Sequence, residues 1–306
     1  MDIAISAVIC THNREKYIEK SLTSLINQTL EKENYEIIVV DNASTDNTRD
    51  ITTKFLKLHT NIKYINEPVL GLSQSRNTGW QNSEGKYVAY LDDDAVADPD
   101  WLKNILSVFR NAKPAPGIVG GKIDPIWESD PPAWLSDQMI RALTVIDWSK
   151  EPVVLNNTHM WLAGANIAYQ KSLFLKHGGF DVSLGRKGQN LLSCEETILN
   201  SIIEDAGYNI YYDPSIRVRH HIPPDRIKKS WHVKRQYWNG VSVAYIHKHG
   251  SNNSLLKNTE HLYKNFILLA RNTLKLISGR KSKNDTFLET ICEFAFRCGY
   301  ARGIFR

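Results

Sequence analysis

Across the first 95 residues, short continuous apolar runs alternate with segments whose apolar residues recur every three or four positions. "IAISAVIC" (3–10), "YEIIVV" (35–40), "IKYINE" (62–67) and "KYVAYLDDD" (86–94) read as strands, with too few polar interruptions for one face to meet water. Between them, residues 14–28 place Tyr17, Ile18, Leu22, Leu25 and Ile26 at helical spacing. Residues 48–58 read as a helix that Ser44 or Asp46 caps, and 72–83 as a helix that stops near Gly85. Apolar strands alternating with amphipathic helices predict a parallel sheet covered on both faces. Such a sheet binds its ligand beyond the carboxyl ends of its strands, which is where Asp41 and the triplet Asp92–Asp93–Asp94 fall.

After residue 95 the rhythm changes. A helix is expected over 99–111, with Pro99 near its first turn, then a strand over 117–123. Residues 124–160, rich in Pro and Trp, read as irregular. Residues 160–174 read as strand, turn and helix, 194–208 as a helix ended by Gly207, and 209–221 as a strand. From about 225 the chain is basic, aromatic and helical. The expected organisation is therefore a catalytic domain over 1–224, its halves meeting near residues 95 and 96, and a helical region over 225–306.

Composition narrows the function classes. At 306 residues and 42% hydrophobic, the chain buries a full core, and its eight Trp and thirteen Tyr suit sugar or lipid surfaces. A net charge of +5 without a concentrated basic stripe argues against nucleic acid. Cys10, Cys194, Cys292 and Cys298 form no CxxC pair, which speaks against a zinc site or disulfide framework and for a reducing, cytoplasmic setting. A signal peptide and a spanning helix are not expected, because no charged leader and no run of about 18 apolar residues is present.

Two acidic groups carry the candidate chemistry. Three adjacent carboxylates at one strand end repel one another, and a hard divalent cation relieves that repulsion. Side chains alternate along a strand, so Asp92 and Asp94 share a face. On its own, a DDD triplet reads equally well as a solvated turn or a helix cap ahead of Pro99. Glu195 and Glu196 open the predicted helix at 194, where the macrodipole favours acids whatever their chemistry.

Taken in order, "VICTHNREKYIEKSLTSLINQT", "YEIIVVDNASTDNT", "GLSQSRNTGW", "GKYVAYLDDDAVADPDWL" and "SCEETILNSIIEDAGYNIYYDPSIRVRH" resemble the family 2 glycosyltransferases with the GT-A fold, over roughly residues 3–222. The resemblance implies a mixed, mainly parallel Rossmann-like α/β sheet and inverting transfer from a nucleotide-sugar, preferentially a UDP-sugar. It places Thr11, His12 and Arg14 near the nucleotide base, Asp41 at a pyrimidine N–H, Arg76 near the donor, and Asp92 and Asp93 on the ribose. Asp94, with His220 or His221, would hold Mg²⁺ or Mn²⁺ against the diphosphate. Where the family has a Gly-Glu-Asp type motif, this chain has Cys194, Glu195 and Glu196, so Glu196 is the expected base and Glu195 its neighbour. Trp161 is expected to wall the acceptor sugar, and Gly164 to allow its close approach.

The partners so implied are a nucleotide-sugar donor and a saccharide or lipid-linked acceptor. The stretches 226–240 and 261–281 mix Lys and Arg with aromatic residues, which fits peripheral binding to the inner face of an anionic membrane or packing on the catalytic domain or on a second copy of the chain. The Gln-x-x-Arg-Trp motif of processive synthases is absent, so single additions are expected. A sugar nucleotidyltransferase is disfavoured because "CTHNREK" carries no phosphate-cradling glycine, and a non-catalytic binding subunit is the other rival.

Overall fold

The computed structural model describes residues 3–249, 264–268, 270, 271, 274 and 287–305. The expected alternation is present: β1 (Ile5–Thr11), α1 (Ile18–Ile26), β2 (Tyr35–Asp41), α2 (Thr48–Leu58), β3 (Ile62–Asn66), α3 (Leu72–Gln81) and β4 (Tyr87–Asp92). There follow β5 (Ala95–Ala97), α4 (Trp101–Asn111), β6 (Pro116–Trp127), α5 (Asp137–Ala142), β7 (Val153–Val154), β8 (Asn166–Gln170), α6 (Lys171–His177), α7 (Glu195–Asp205) and β9 (Asn209–Ile222). Two helices close the described chain, α8 (Lys229–His249) and α9 (Phe287–Phe305).

The sheet runs β3-β2-β1-β4-β8-β6-β9-β5, with β7 beside β9. Its first four strands are parallel. β8 then runs antiparallel to both β4 and β6, so the sheet is mixed, as the α/β reading expected. β1 pairs with β2 on one side and β4 on the other, so the chain's winding reverses there and a crevice opens at its carboxyl end. Thr11 stands opposite Asp41, and Cys10 opposite Asp92. This register brings the two acidic strand ends to the same edge.

The central strands are buried throughout: Ile5, Ala7, Val8 and Ile9 of β1 and Ile37–Val40 of β2 are fully covered. α3 reaches β1 closely because Gly79 has no side chain; a Cβ there would lie 2.5 Å from Val8 Cγ1. That approach fixes the depth of Arg76, one turn earlier on the same helix.

Several expected boundaries shift. α1 starts at Ile18 rather than residue 14, because residues 12–17 form the loop after β1. Residues 124–127, expected to be irregular, continue β6, whose pairing with β9 overrides their weak local pattern. Residues 160–165, expected as a strand, have no regular structure, and the strand begins at Asn166.

The chain divides into two compact units. One comprises Met1–Glu128, Leu143–Ser183 and Glu195–Ile222, and contains the sheet. The other comprises Ser129–Ala142, Leu184–Cys194 and Pro223–Arg306. It therefore includes two stretches from inside the expected 1–224 domain as well as the C-terminal helices. The stretch 261–281, expected to be amphipathic, lies largely outside the described residues. In α8 the basic and aromatic residues are spread around the helix rather than segregated onto two faces. Among the described residues, no helix is long and apolar enough to cross a membrane.

Candidate active site

The loop after β1 is laced to the loop after β2. His12 Nδ1 donates to the Asn42 carbonyl at 2.7 Å, which sets the tautomer, and the Arg14 amide donates to Thr48 Oγ1 at 2.8 Å. Asn13 has φ +53, and its Oδ1 accepts the Thr45 amide at 2.7 Å. Asp46, one of the two expected caps, accepts the Thr48 amide at 3.0 Å. Thr11 is buried at the end of β1.

Asp41 is held from its own neighbourhood. It is 1% exposed; one carboxylate oxygen accepts the Ser44 amide at 3.0 Å and the other the Tyr64 hydroxyl at 2.8 Å. Burial and the adjacent Asp41 charge push the Tyr64 hydroxyl up to about 12, so it stays a donor. Asp41 thus anchors the loop after β2 in this conformation. Asn42 works alongside it, donating to the Glu67 and Val69 carbonyls and accepting the Gly71 amide. No local pattern singles out Asn42, because its role depends on three loops meeting.

The acidic triplet is held by α1: Ser21 Oγ donates to the carbonyls of Asp93 at 2.8 Å and Ala95 at 2.6 Å. The three carboxylates then part. Asp93 turns inward to Arg14 Nε at 3.1 Å, and burial pushes its carboxyl up to about 7 despite that cation. Arg14 is its charge partner, and Asp92 points elsewhere. Asp92 and Asp94 lie together with His220, which β9 delivers opposite Ala95. Each of the three offers one ligand atom within 4.8 Å of the others, and His220 Nε2 lies 3.0 Å from Asp94 Oδ1. Two carboxylate oxygens and one imidazole nitrogen fit a divalent ion such as Mn²⁺ or Mg²⁺. The neighbouring His221 is placed differently: its ring meets Tyr17 at 5.2 Å, and its Nδ1 lies 3.2 Å from Glu128.

Arg76 joins this cluster to the second acidic pair. Its guanidinium is almost fully buried, 2.7 Å from Glu195, 3.4 Å from Glu196 and 3.7 Å from Asp92. Phe180 lies under it at 5.5 Å. Burial opposes its charge, but Glu196, Glu195 and Asp92 together drive its pKa upward. Arg76 thus lies among carboxylates, where the resemblance had implied a place near the donor. The two glutamates also separate. Glu195 is 2% exposed and paired to Arg76, whereas the Glu196 side chain is 16% exposed and its Oε1 accepts the Gly164 amide at 2.9 Å. Gly164 makes room for this arrangement: a Cβ there would lie 1.8 Å from Arg76 Nη2.

Three residues before Gly164, Trp161 is 39% exposed. Trp148 meets it edge-on at 6.0 Å, and Trp148 Nε1 donates to the Trp161 carbonyl at 2.7 Å. Trp148 was missed because it lies in the stretch read as irregular. The Cys194 substitution also has a visible consequence. Its φ is +78, in the left-handed region where glycine is unstrained and a side chain costs roughly 1–2 kcal/mol. A buried carboxylate is not by itself a mark of chemistry: at the opposite end of the sheet, Glu36 is buried but accepts Ser6 Oγ at 2.6 Å and pairs with Lys63 at 2.8 Å.

Comparison with known proteins agrees with this geometry. The family model described as "Glycosyl transferase family 2" matches residues 6–178. The glucosyl-dolichyl phosphate glucuronosyltransferase of Haloferax volcanii is 27% identical over 269 residues, covering 85% of this chain and 84% of that protein. The validoxylamine A glucosyltransferase of Streptomyces hygroscopicus subsp. limoneus is 24% identical; the match covers 82% of this chain but only 54% of that protein. Among solved structures, the mannosyltransferase of Pyrobaculum calidifontis in complex with GDP-Man and Mn²⁺ superposes over all of this chain and 88% of its own, with TM-score 0.65 and 17% identity. The shared fold is of the GT-A type.

Proposed function

We propose that this chain, which belongs to glycosyl transferase family 2, moves a single sugar from a nucleoside-diphosphate sugar to a saccharide or lipid-linked acceptor with inversion. The observation that carries the reading is the Arg76 cluster. It holds the Asp92–Asp94–His220 group and the Glu195–Glu196 pair around one buried cation. A lipid-linked acceptor is favoured by the name of the Haloferax relative, which specifies a dolichyl phosphate.

In this reading His12 and Arg14 border the donor, with Thr11 supporting the loop beneath them. Asp92, Asp94 and His220 would hold a divalent ion, which when bound neutralises charge growing on the departing diphosphate. Glu196 acts as base. Its Oε1 is fixed by the Gly164 amide, leaving Oε2 to take the acceptor hydroxyl proton as the new bond forms. Glu195 pairs with Arg76 at 2.7 Å, and Glu196 shares the same guanidinium at 3.4 Å. Attack from the face opposite the diphosphate inverts the anomeric centre. Trp161 and Trp148 give the acceptor ring an aromatic surface. Peripheral attachment of α8 to an anionic membrane, or pairing with a second copy, remains part of the proposal.

The test is Glu196→Gln. Donor binding, measured by titration calorimetry with Mn²⁺, should be retained, while transfer falls by roughly 10²–10⁴-fold. Undiminished transfer would remove Glu196 as base. Glu195→Gln, in contrast, should lower the unfolding temperature along with the rate, since it unbalances a buried cation.

A further inference from the structure

The second unit contains a cavity that the proposed transfer does not use. Its helices α8 and α9 run in the same direction and touch backbone to backbone at their glycines. A Cβ on Gly240 would lie 2.0 Å from the Phe296 carbonyl oxygen, and one on Gly299 would lie 1.8 Å from that of Tyr237. N-terminal to this crossing, His232, Gln236 and Asn239 share one face of α8, while Glu289 and Glu293 share one face of α9. With Ser136 and Gln138 at the start of α5, they line a cavity of about 570 Å³. That volume lies within the range of small-molecule sites, about 300–1,000 Å³.

Two packed helices ordinarily meet through apolar side chains. Here the facing stripes are polar, and two atoms beside the cavity, Ser136 Oγ and His232 Nε2, are buried without a hydrogen-bond partner. Each such group costs about 1–3 kcal/mol if left unpaired, so the stripe is unfavourable unless the cavity's contents pair with it.

The wall chemistry selects the contents. Among the described residues no lysine or arginine lines the cavity, and its two charged residues are both acidic. Burial pushes His232 down to about 4, so it adds no positive charge at neutral pH. Phosphates, nucleotides and anionic headgroups are therefore repelled. A tightly held metal is not favoured either, since among the described residues the ligand atoms that converge are those of Asp92, Asp94 and His220. What remains is a neutral ligand rich in hydroxyls. Carboxamides donate to and accept from vicinal hydroxyls and carboxylates accept from them, while Phe296 and Met139 supply an apolar wall for a ring face.

We propose that this cavity binds an uncharged saccharide of one or two rings. The inference rests on the second unit alone and does not depend on the transferase reading.

The test is saturation-transfer NMR on the full chain with glucose, mannose, N-acetylglucosamine and their disaccharides, and glucuronate as the anionic control. Wild type and Glu196→Gln should bind at least one uncharged sugar equally well. Gln236→Ala/Asn239→Ala should weaken that binding at least tenfold with an unchanged unfolding temperature. Ser136→Val, on a separate segment, should weaken it as well, and so covers the case in which the double variant fails to fold. The proposal is overturned if no uncharged sugar binds, if the folded variants bind as wild type does, or if glucuronate binds as tightly as glucose. Loss of transfer activity by Glu196→Gln with sugar binding intact would separate the two sites.

Discussion

Replacing Gly164 by alanine is the most direct probe of the Arg76 cluster. The added methyl would sit 1.8 Å from Arg76 Nη2, 2.6 Å from Cζ and 2.7 Å from Glu196 Oε1. Ordinary contact needs roughly 3.5 Å, so the guanidinium must move by roughly 1.5 Å. It cannot retreat cheaply, because Phe180 and Tyr90 lie against it and its partners are buried. Overpacking alone costs about 1–3 kcal/mol, and loosening a buried ion pair adds to it, so about 2–4 kcal/mol is expected. For a unit of this size that corresponds to a fall in Tm of about 5–10 °C. Glu196 would be displaced with Arg76, and misplacement by about 1 Å costs on the order of 10²-fold in kcat. Scanning calorimetry and transfer kinetics measure the two effects. Gly178→Ala is the control: its φ is +85 and nothing lies within 4 Å, so it should lower stability modestly through the backbone alone and leave kcat unchanged. Wild-type Tm and kcat in Gly164→Ala would refute the reasoning.

Asp94→Asn and His220→Gln should each abolish Mn²⁺ binding measured by calorimetry; unchanged titration would remove them as ligands. Asp41→Asn should lower Tm, by about 1–3 kcal/mol of lost loop anchoring, without altering the preference between UDP- and GDP-sugars. A changed base preference would return Asp41 to the nucleotide. Asp93's contribution to the stability of the metal-free protein should fall as pH rises, while His232, held down to about 4, acts in the opposite direction over the same range, so wild type is compared with Asp93→Asn. Asp93 titrates near 7 when folded, against about 4 when unfolded, so the folded form holds an extra proton between those values. Its contribution is complete below pH 4 and lost by pH 7, at most about 4 kcal/mol, and it should vanish in Asp93→Asn. Unfolding temperatures in chelator at several pH values check this, and an identical profile in Asp93→Asn would refute it.

Much was legible in the chain itself. Apolar strand runs separated by helix-spaced segments determine a covered, largely parallel sheet, because only that arrangement buries both faces of such strands. The same pattern puts Asp41 and the Asp92–Asp94 triplet at strand ends; the parting of Asp93 from Asp92 and Asp94 is decided in the turn that follows β4. Partnership was not legible, since it depends on segments far apart in sequence. Arg76 meets Glu195 only because Gly79 lets α3 settle on β1 while α7 begins beside Gly164. His220 meets Asp94 only because β9 pairs with the three-residue β5. Nor was it legible that Tyr64 and the Ser44 amide both hold Asp41. Local pattern determines which residues are buried and which strand ends are acidic; which charge neutralises which is decided by long-range packing, where a shift of an ångström exchanges one partner for another.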